Sequence, residues 1–405
     1  MLECVLPDEA LKIILKTRLK PFTGAKTISL EDSIGKVLAQ NVLSEECIPA
    51  YDRSCVDGYA LKAAETFGCS QSLPSMLECI GEIQMGESAD RVLKDGSCLK
   101  IPTGGRLPQK ADCVVMLEYT QMTDDGFCCV EKPCAPYENV IRAGDDVKTG
   151  QTVLPKDSVI TQRSIGVLAA LGKNRVKVKK QLEIAIVSTG DELVPINEKP
   201  GPSQIRDINS SLLRALVSNE RISGRIYPIV KDEPELLRKA ILKALEENDM
   251  LLLSGGTSVG EKDAVYRVLS ELGEVAFHGI SIKPGKPTMF AVINEKPVFG
   301  LPGHPLAAYF SARLFALPLI NKLLGIEHRE KSVEGKAIYN IPSNHGREEI
   351  LPVNLIKDGE NEGCFEPIFS KSGVISVLNS SDGFIRIDGN TEGLTRGEKV
   401  KVYLF

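Results

Sequence analysis

Four glycine-rich loops carry the residue types that could bind an anion and act on it. They lie at residues 188–193 (STGDEL), 254–263 (SGGTSVGEKD), 283–287 (KPGKP) and 301–305 (LPGHP). Glycine allows a ligand to approach backbone N–H groups closely, and lysine adds positive charge. Because the loops also contain carboxylates, they predict a site where a phosphate or another oxyanion meets both basic and acidic groups.

Loop 254–263 matches neither of the common nucleotide motifs. A P-loop requires Lys and then Ser or Thr after its second glycine, but Gly260 is followed by Glu261 and Lys262. The dinucleotide pattern fails as well, because Thr257 stands where a glycine is required. Asp263 could either cap the following helix or act on a ligand. The groups that could still contact a ligand belong to Gly255, Gly256, Thr257 and Ser258.

The KPGKP turn is the most informative of the four loops. Lys283 and Lys286 stand on a short turn that Pro284 and Pro287 stiffen and Gly285 reverses. A single surface lysine is usually only solvated, but two lysines on one braced turn can hold an oxyanion. We therefore expect Lys283 and Lys286 to clamp the ligand, with Pro287 bordering it.

The LPGHP loop begins a long apolar segment. Pro302 and Pro305 lie on either side of Gly303 at the start of this predicted helix, and helix N-termini favour anions. Both prolines are therefore expected to border the ligand. His304 is either a base or a turn residue, since no serine or cysteine nucleophile pattern accompanies it.

Carboxylates follow the glycine of the STGDEL loop. Asp191 and Glu192 stand at the end of a predicted strand. With Asp263 they could coordinate a hard divalent cation through oxygen, as Mg²⁺ is held beside a phosphate. The spacing leaves open whether these carboxylates meet, so a metal site at Glu192 and Asp263 is an expectation.

The hydrophobic pattern of residues 178–326 predicts a scaffold that gathers these loops. Apolar runs typical of buried strands (LEIAIVSTG, SGRIYPIV, DMLLLSGG) alternate with helical patterns (NSSLLRALV, DEPELLRKAILKALEEN, DAVYRVLSEL), and residues 305–324 form a last long helix. This alternation predicts a three-layer α/β domain with a mainly parallel sheet covered on both faces. Ligands of such sheets lie at the carboxyl ends of the strands.

The flanking regions are β-rich. Residues 1–177 combine short apolar stretches with frequent turns, apart from helical patterns at 7–19 and 161–171. Within this region an inner β domain is expected at about 47–145. Residues 327–405 alternate again and turn at Asp-Gly and Gly-Asn pairs. The fold class is therefore multidomain α/β plus β, divided at 1–177, 178–326 and 327–405.

Length, charge and composition exclude several classes of protein. A chain of 405 residues is expected to form two to four domains, and a net charge of −5 argues against general nucleic-acid binding. The N-terminus lacks the basic start and apolar core of a signal peptide. No apolar run approaches the roughly 18 residues of a membrane span. We therefore expect a cytoplasmic protein.

The cysteines show no metal-binding pattern. Ten of the eleven precede residue 135, and none forms a C-x-x-C pair or a zinc-type spacing. In a cytoplasmic chain this predicts reduced thiols that serve mostly as small buried apolar side chains.

Seven motifs follow one another in a fixed order: PAYDRSCVDGYAL, PTGGRLPQKADCVVMLE, NVIRAGDDV, IRDINSSLL, SGGTSVGEKDA, KPGKPT and LPGHPLAA. In this order they resemble the MoeA family of molybdopterin molybdenumtransferases and the E domain of gephyrin. The resemblance extends from about residue 8 to the C-terminal β segment. Seven ordered motifs are far more specific than any one of them.

The resemblance implies an activity and an architecture. Members of the family insert molybdenum from molybdate into adenylyl-molybdopterin, release AMP and form molybdenum cofactor, with Mg²⁺ assisting. They are elongated homodimers with β-rich N-terminal domains, a MogA/MoaB-like α/β domain and a C-terminal β-barrel. Further partners would be other cofactor-biosynthesis or acceptor proteins, but neither nucleic acid nor a membrane.

The resemblance also implies roles for individual residues. Arg347 of HGREEILPV and Ser372 of KSGVISVL would join Lys283 and Lys286 around molybdate. Asp263, with Glu192, would hold the metal or act at the pyrophosphate. The active cleft would be completed from the partner subunit by Asp57, Thr103 and Asp146.

Some positions depart from the family pattern without removing any of these residues. His304 stands where the family usually has Asn, and Gly105 where it usually has Ala. Ile141 replaces an Arg that many members carry, and Arg53 and Cys55 replace Asn and a small residue. The first change could alter a hydrogen bond to the ligand.

Two other functions agree with parts of the sequence. A molybdopterin-binding scaffold without metal insertion, comparable to gephyrin's anchoring role, would need an appended domain and a long linker, which these 405 residues do not show. A molybdopterin adenylyltransferase would need little beyond residues 178–326. Tungstate has nearly the size and charge of molybdate, so the preference between the two oxyanions stays open.

Overall fold

A computed structural model describes residues 4–87, 91–255, 264–357, 359, 362–371 and 373–405. The chain divides into two compact units. The β unit comprises Ile28–Ser33 and Gln40–Val176, and the α/β unit comprises Met1–Thr27, Ile34–Ala39 and Lys177–Phe405. The α-helices are α1 Pro7–Lys16, α2 Gln162–Ala170, α3 Asn209–Val217, α4 Pro234–Glu247, α5 Ala264–Leu272, α6 Pro305–Ser311, α7 Leu317–Leu324 and α8 Ser376–Ser380.

The β-rich texture of the first third corresponds to a six-stranded sheet with the order β7-β4-β6-β5-β9-β8. The strands up to residue 154 are β1 Ala25–Ser29, β2 Val42–Leu43, β3 Arg53–Ser54, β4 Gly58–Leu61, β5 Ser75–Glu82, β6 Ser97–Ile101, β7 Cys113–Met116, β8 Thr120–Met122, β9 Phe127–Val130, β10 Val140–Ile141 and β11 Thr152–Leu154. The predicted helix at 161–171 is α2, which Thr161 begins with a capping box to Ser164.

The cysteines are less buried than the sequence analysis predicted. Four are buried, namely Cys98, Cys113, Cys128 and Cys134, whereas six are partly buried and Cys55 is exposed. Strand alternation explains part of the difference, because neighbouring residues of one strand face opposite sides of the sheet. Cys128 faces the core of the β unit, and Cys129 beside it does not. All eleven thiols are free.

The α/β unit contains the predicted three layers. The strands from residue 175 to residue 301 are β12 Arg175–Lys179, which spans the boundary between the units, β13 Leu182–Ser188, β14 Leu193–Val194, β15 Ile205–Arg206, β16 Ile222–Ile226, β17 Met250–Ser254, β18 Glu274–His278, β19 Ile282–Lys283, β20 Met289–Ile293 and β21 Lys296–Leu301. The central sheet has the order β16-β13-β17-β21-β20-β18, in which the first four strands are parallel and the last two antiparallel. The prediction of a mainly parallel sheet is confirmed.

Alternate residues of β13 face opposite sides of this sheet, and helices cover both sides. Ile184 and Ile186 join the core formed with α1, α3, α6 and α7, whereas Ala185 and Val187 join the core formed with α4 and α5. A strand buried on both faces needs apolar residues in succession, as Ile184, Ala185, Ile186 and Val187 are in β13.

The last predicted helix differs from the expectation of one continuous α-helix. Between α6 and α7, residues Ala312–Ala316 form a π-helical turn, and the N–H of Leu317 donates to the carbonyl of Ala312. Pro318 lacks an N–H, so the regular bond to residue 314 cannot form, and the chain widens there instead.

The C-terminal region closes into a five-stranded barrel. Its strands are β22 Ser332–Ala337, β23 Ile341–Pro342, β24 Glu348–Leu355, β25 Cys364–Pro367, β26 Gly383–Ile387, β27 Gly393–Leu394 and β28 Lys399–Leu404. The pairing runs β24-β25-β22-β28-β26 and returns from β26 to β24. Strand β19 adds to this barrel in parallel with β24, which brings the KPGKP turn against the barrel.

Candidate active site

A cavity of about 1020 Å³ lies where strands β17, β19 and β21 end, and we call it the basic cavity. Its wall contains the KPGKP turn, the glycines that follow β17 and β21, and residues of the barrel. The cationic side chains in the wall are Lys283, Lys286, Arg347 and Lys371, against the acidic Glu192, Asp232 and Glu349. The excess of positive charge over negative suits an anionic ligand, although the whole chain is acidic.

The KPGKP turn has a backbone that only glycine fits at its centre. Gly285 has φ +122°, and a Cβ there would lie 2.6 Å from Ile282 Cδ1. The peptide between Lys283 and Pro284 is cis. The N–H of Ile280 donates to the carbonyl of Lys286 at 2.9 Å, which ties the return of the turn to its start.

Two backbone N–H groups of this turn are open to a ligand. Pro284 and Pro287 have no N–H, and the N–H groups of Gly285 and Lys286 meet no acceptor within the described residues. Unpaired N–H groups beside a lysine form a favourable environment for an oxyanion. The turn therefore offers backbone donors in addition to the lysine side chains on which the prediction rested.

The two lysines of the turn have different surroundings. Lys283 Nζ lies 2.8 Å from the Glu349 carboxylate, which also accepts a hydrogen bond from Ser343. Lys286 is half-buried and, among the residues that can be described, has no carboxylate within 4 Å. Among the described residues the charge of Lys286 is thus uncompensated, whereas that of Lys283 is neutralised by Glu349, an acid that was not predicted.

The barrel supplies the other cations of the wall. Arg347 directly precedes β24, and the pairing of β19 with β24 sets Ile282 opposite Glu348 and Lys283 opposite Glu349. Lys371, which the prediction missed, stands beside the predicted Ser372. Ser372 itself lies outside the described residues. Neither Arg347 nor Lys371 forms an ion pair within the part of the chain that is described.

The predicted acidic side of the site is described in part. Glu192 lies in the wall of the basic cavity, and its carboxylate folds over Gly190, as an added Cβ there would meet both oxygens at 2.9 Å. Asp232, another carboxylate of the wall, accepts a hydrogen bond from Thr189 at 2.5 Å. The described residues contain no group of three or more His, Cys, Asp or Glu side chains arranged for a metal ion.

Part of the glycine loop after β17 can be placed. Gly255 has φ +106°, and a Cβ there would lie 2.0 Å from the carbonyl oxygen of Thr189, so no larger residue fits. Gly255 lines the basic cavity, whereas the other predicted residues of this loop lie outside the described residues: Gly256, Thr257, Ser258 and Asp263.

A neighbouring cavity of about 730 Å³ shares Gly255 and His304 with the basic cavity. Its buried floor is polar, since the Ser188 hydroxyl donates to Asp207 at 2.9 Å and Asn209 donates to Ser254 and to the Gly303 carbonyl at 2.8 Å each. The IRDINSS motif therefore positions a hydrogen-bonding surface that the prediction did not assign. Such a floor suits a ligand with several donors and acceptors.

The predicted prolines are divided between the two cavities. Pro287 and Pro302 line the basic cavity, and Pro305 lines the neighbouring cavity as the first residue of α6. His304 belongs to both walls. The structure thus places Lys283, Lys286, Arg347 and Glu192 in the wall of one cavity.

Two of the three predicted residues of the β unit are in contact. Asp57 accepts a hydrogen bond from the Thr103 N–H at 2.8 Å, so these two loops meet. The loop of Asp146 is joined to the same region, because β10 pairs with β3 and the N–H of Ala143 donates to Asp52 at 2.7 Å. Asp57, Thr103 and Asp146 are all exposed in this chain.

Comparison with family models covers most of the chain. The model of the MoeA N-terminal region (domain I and II) matches residues 5–172, that of a probable molybdopterin binding domain matches 185–322, and that of the MoeA C-terminal region (domain IV) matches 335–405. The MoeA C-terminal model covers the closed barrel, and the molybdopterin-binding model covers most of the parallel sheet.

Individual relatives agree with the family models. A protein of Methanocaldococcus jannaschii named as a molybdopterin biosynthesis protein is 39% identical, over 94% of this chain and 92% of its own length. A molybdopterin molybdenumtransferase of Staphylococcus aureus is 29% identical, over 94% and 91%. The crystal structure of a molybdopterin biosynthesis MoeA protein from Pyrococcus horikosii has 33% identity and a TM-score of 0.86, with 99% of each chain covered.

Proposed function

Since the chain belongs to the MoeA family, we propose that it is a molybdopterin molybdenumtransferase. It inserts molybdenum from molybdate into adenylyl-molybdopterin and releases AMP. The observation that carries this proposal is the basic cavity, in which Lys286 and its backbone N–H face no carboxylate among the described residues. Molybdate is a tetrahedral dianion, and this turn offers it both charge and directed donors.

The residues of the cavity contribute to oxyanion binding to different extents. Lys286 and Arg347 hold the oxyanion, with Ser372 as a further expected ligand, and Lys283 contributes less because Glu349 neutralises it. The neighbouring cavity, with its polar floor of Asp207 and Asn209, accommodates the organic part of adenylyl-molybdopterin. As the two dithiolene sulfurs bind molybdenum, one oxo group of molybdate leaves as water with the two thiol protons. A second water cleaves the phosphoanhydride and frees AMP.

The carboxylates of the wall fit a requirement for Mg²⁺. Glu192 and Asp232 face the same cavity, and Mg²⁺ commonly takes one or two carboxylates together with phosphate oxygens and water. In this proposal Glu192 and Asp263 would hold the ion, which would supply neutralising charge at the pyrophosphate.

The proposal includes a homodimer in the cytoplasm. In it, Asp57, Thr103 and Asp146 of one copy complete the cleft of the other. Other cofactor-biosynthesis or acceptor proteins would deliver the substrate and receive the product. Domain boundaries at 177 and 326 belong to the same proposal. No described helix is long and apolar enough to span a bilayer.

The test of this function is molybdate-dependent AMP release. Purified protein is incubated with adenylyl-molybdopterin and Mg²⁺, with molybdate, tungstate or neither, and AMP and cofactor are measured. We expect AMP release that requires the oxyanion and is lost in Lys286→Ala. Release should be kept in Lys239→Ala, because Lys239 is an exposed lysine of α4. AMP release that is independent of any oxyanion would refute the transferase.

The dimeric cleft has a separate test. Asp57→Asn and Lys286→Ala should each be inactive alone, because each removes one half of every site. Mixed and reassembled, they should regain partial activity, since some dimers then combine an intact half from each copy. A mixture as inactive as its components would contradict the shared cleft.

A further inference from the structure

Two buried hydroxyl groups hold the KPGKP turn from behind. Thr288 Oγ1 donates to the carbonyl of Gly285 at 2.6 Å and lies 2.7 Å from Ser311 Oγ. Both side chains are fully buried. Because a threonine hydroxyl has one proton and Thr288 gives it to Gly285, Ser311 must donate to Thr288. We call Thr288 and Ser311 the hydroxyl pair.

The turn packs directly on this pair. A Cβ at Gly285 would lie 2.8 Å from Ser311 Oγ, so no other side chain fits between them. The N–H of Thr288 also donates to the Gly285 carbonyl at 3.2 Å. The orientation of that carbonyl is therefore set by two donors from one residue.

Fixing the carbonyl of Gly285 also fixes the N–H of Lys286. The two groups belong to the same peptide unit, which is planar and trans, so they point in opposite directions. With the carbonyl directed at the buried hydroxyl pair, the N–H of Lys286 is directed away from it. Lys286 and Gly285 line the basic cavity, and this N–H has no acceptor among the described residues.

A threonine that bonds a carbonyl three residues earlier is not unusual by itself. Thr66 in the β unit is equally buried and donates to the carbonyl of Ala63 at 2.8 Å. Thr288 differs because the peptide that it holds carries a donor at the wall of a ligand cavity. The hydroxyl pair can thus act on ligand binding without touching the ligand.

We propose that Thr288 and Ser311 are positioning residues for the oxyanion, which set the Gly285–Lys286 peptide so that its N–H and the Lys286 side chain meet the ligand together. This inference rests on the proposed function for the identity of the oxyanion. It distinguishes the residues that bind the oxyanion from those that orient the binding residues.

The test compares Thr288→Val, Thr288→Ser, Ser311→Ala and the control Thr66→Val. Molybdate dissociation constants are measured by calorimetry on the full chain, together with KM for molybdate, KM for adenylyl-molybdopterin and the midpoint of thermal unfolding. Thr288→Val removes the donor at nearly constant volume and should weaken molybdate binding about tenfold, the loss expected for one directed hydrogen bond. KM for adenylyl-molybdopterin should stay unchanged.

The remaining variants separate positioning from stability. Thr288→Ser should restore molybdate binding, and Ser311→Ala, which leaves the bond to Gly285 in place, should weaken it by only about threefold. Thr66→Val should lower the unfolding midpoint as Thr288→Val does, yet leave molybdate binding intact. Equal molybdate affinity in Thr288→Val and wild type would overturn the proposal, as would an equal loss in Thr66→Val.

Failure of the proposed function would look different. Wild-type protein without molybdate-dependent AMP release but with a molybdate affinity that falls in Thr288→Val would refute the transferase and support the positioning role. Wild-type protein that binds no molybdate in calorimetry would overturn the positioning role as well.

Discussion

Two cationic residues of the α/β unit, Arg313 and Lys286, have opposite surroundings. Arg313, in the π-helical turn, donates to Glu330 at 2.7 Å and to the carbonyl of Leu404 at 2.5 Å, and its guanidinium lies 4.9 Å from the ring centre of Phe384. Only 9% of its side chain is exposed. Lys286 lines the basic cavity and has no described carboxylate within 4 Å.

The difference separates a structural cation from a functional one. A buried charge requires a partner, because desolvation without compensation costs several kcal/mol, and Arg313 has a complete set of partners. No described acid compensates Lys286, so an arriving oxyanion does not have to displace a described carboxylate. A basic residue therefore has a structural or a functional role depending on its neighbours, which the sequence does not show.

The largest expected effect concerns the structural cation. Replacing Glu330 by Gln leaves Arg313 buried without its counter-charge and should lower the free energy of unfolding by about 3 kcal/mol near neutral pH. Chemical denaturation measures this loss. Glu334→Gln, which removes an exposed partner of Lys399, is the control and should change stability little. Equal effects of the two variants would contradict the assignment of Arg313 and Glu330 as a structural pair.

The same pair predicts a dependence on pH. Burial alone would raise the pKa of Glu330. The His328 ring, whose Nε2 lies 3.6 Å from Glu330 Oε1, together with the hydrogen bonds and charge of Arg313, outweighs burial and lowers the pKa to about 2. A carboxylate with a lowered pKa stabilises the fold fully above its ordinary value of 4.5, and this contribution is lost as pH falls from 4.5 towards 2. The difference in stability between wild type and Glu330→Gln should therefore be constant above pH 4.5 and shrink as pH falls from 4.5 towards 2. A difference that stays constant over that fall would argue against the ion pair.

Replacing the functional cation, Lys286, should reduce activity and leave stability unchanged. Lys286→Ala should reduce molybdate-dependent AMP release about a hundredfold, the usual scale for removing one group that stabilises developing or bound negative charge. Its unfolding free energy should stay close to that of wild type, since no described group depends on Lys286 for compensation. Loss of both stability and activity in Lys286→Ala would contradict the distinction between Lys286 and Arg313.

Lys283 is intermediate between the two cases and should show a smaller effect. Its charge is shared with Glu349 at 2.8 Å, so Lys283→Ala should reduce AMP release only about tenfold. Steady-state kinetics of Lys283→Ala and Lys286→Ala under identical conditions give the comparison. A larger loss for Lys283→Ala would show that Glu349 orients this lysine rather than neutralising it.

Lys371 is expected to have the smallest effect. It is exposed in the wall of the basic cavity, where water screens its charge, and Lys371→Ala should raise KM for molybdate about threefold. The effect should vanish as salt is added, which distinguishes long-range attraction from direct contact. A salt-independent loss would instead mean that Lys371 binds the oxyanion directly.

The local patterns of the sequence predicted much of this account. The apolar runs of β13 and β17 and the helical spacing of α4 and α5 report burial directly, because each residue's environment follows from its place in a strand or helix. The two lysines of KPGKP could be selected because two prolines and a glycine restrict the backbone around them.

Long-range partners could not be read in the same way. The pairing of β19 with β24 joins residues more than sixty positions apart, and the bond between Lys283 and Glu349 depends on it. The hydroxyl of Ser311 reaches Thr288 only because α6 packs behind the turn. The distinction between Lys283 and Lys286 therefore required the fold, although both residues were predicted from one motif.

We expect an oxyanion to bind at Lys286, the lysine of the basic cavity that no described carboxylate compensates. X-ray diffraction from crystals grown with molybdate, recorded at the molybdenum absorption edge, locates the metal directly. The account predicts an anomalous peak within hydrogen-bonding reach of the Lys286 N–H and side chain, and its absence from crystals of Lys286→Ala. Molybdate bound at Lys283 and Glu349 without Lys286, or elsewhere on the chain, would contradict the account.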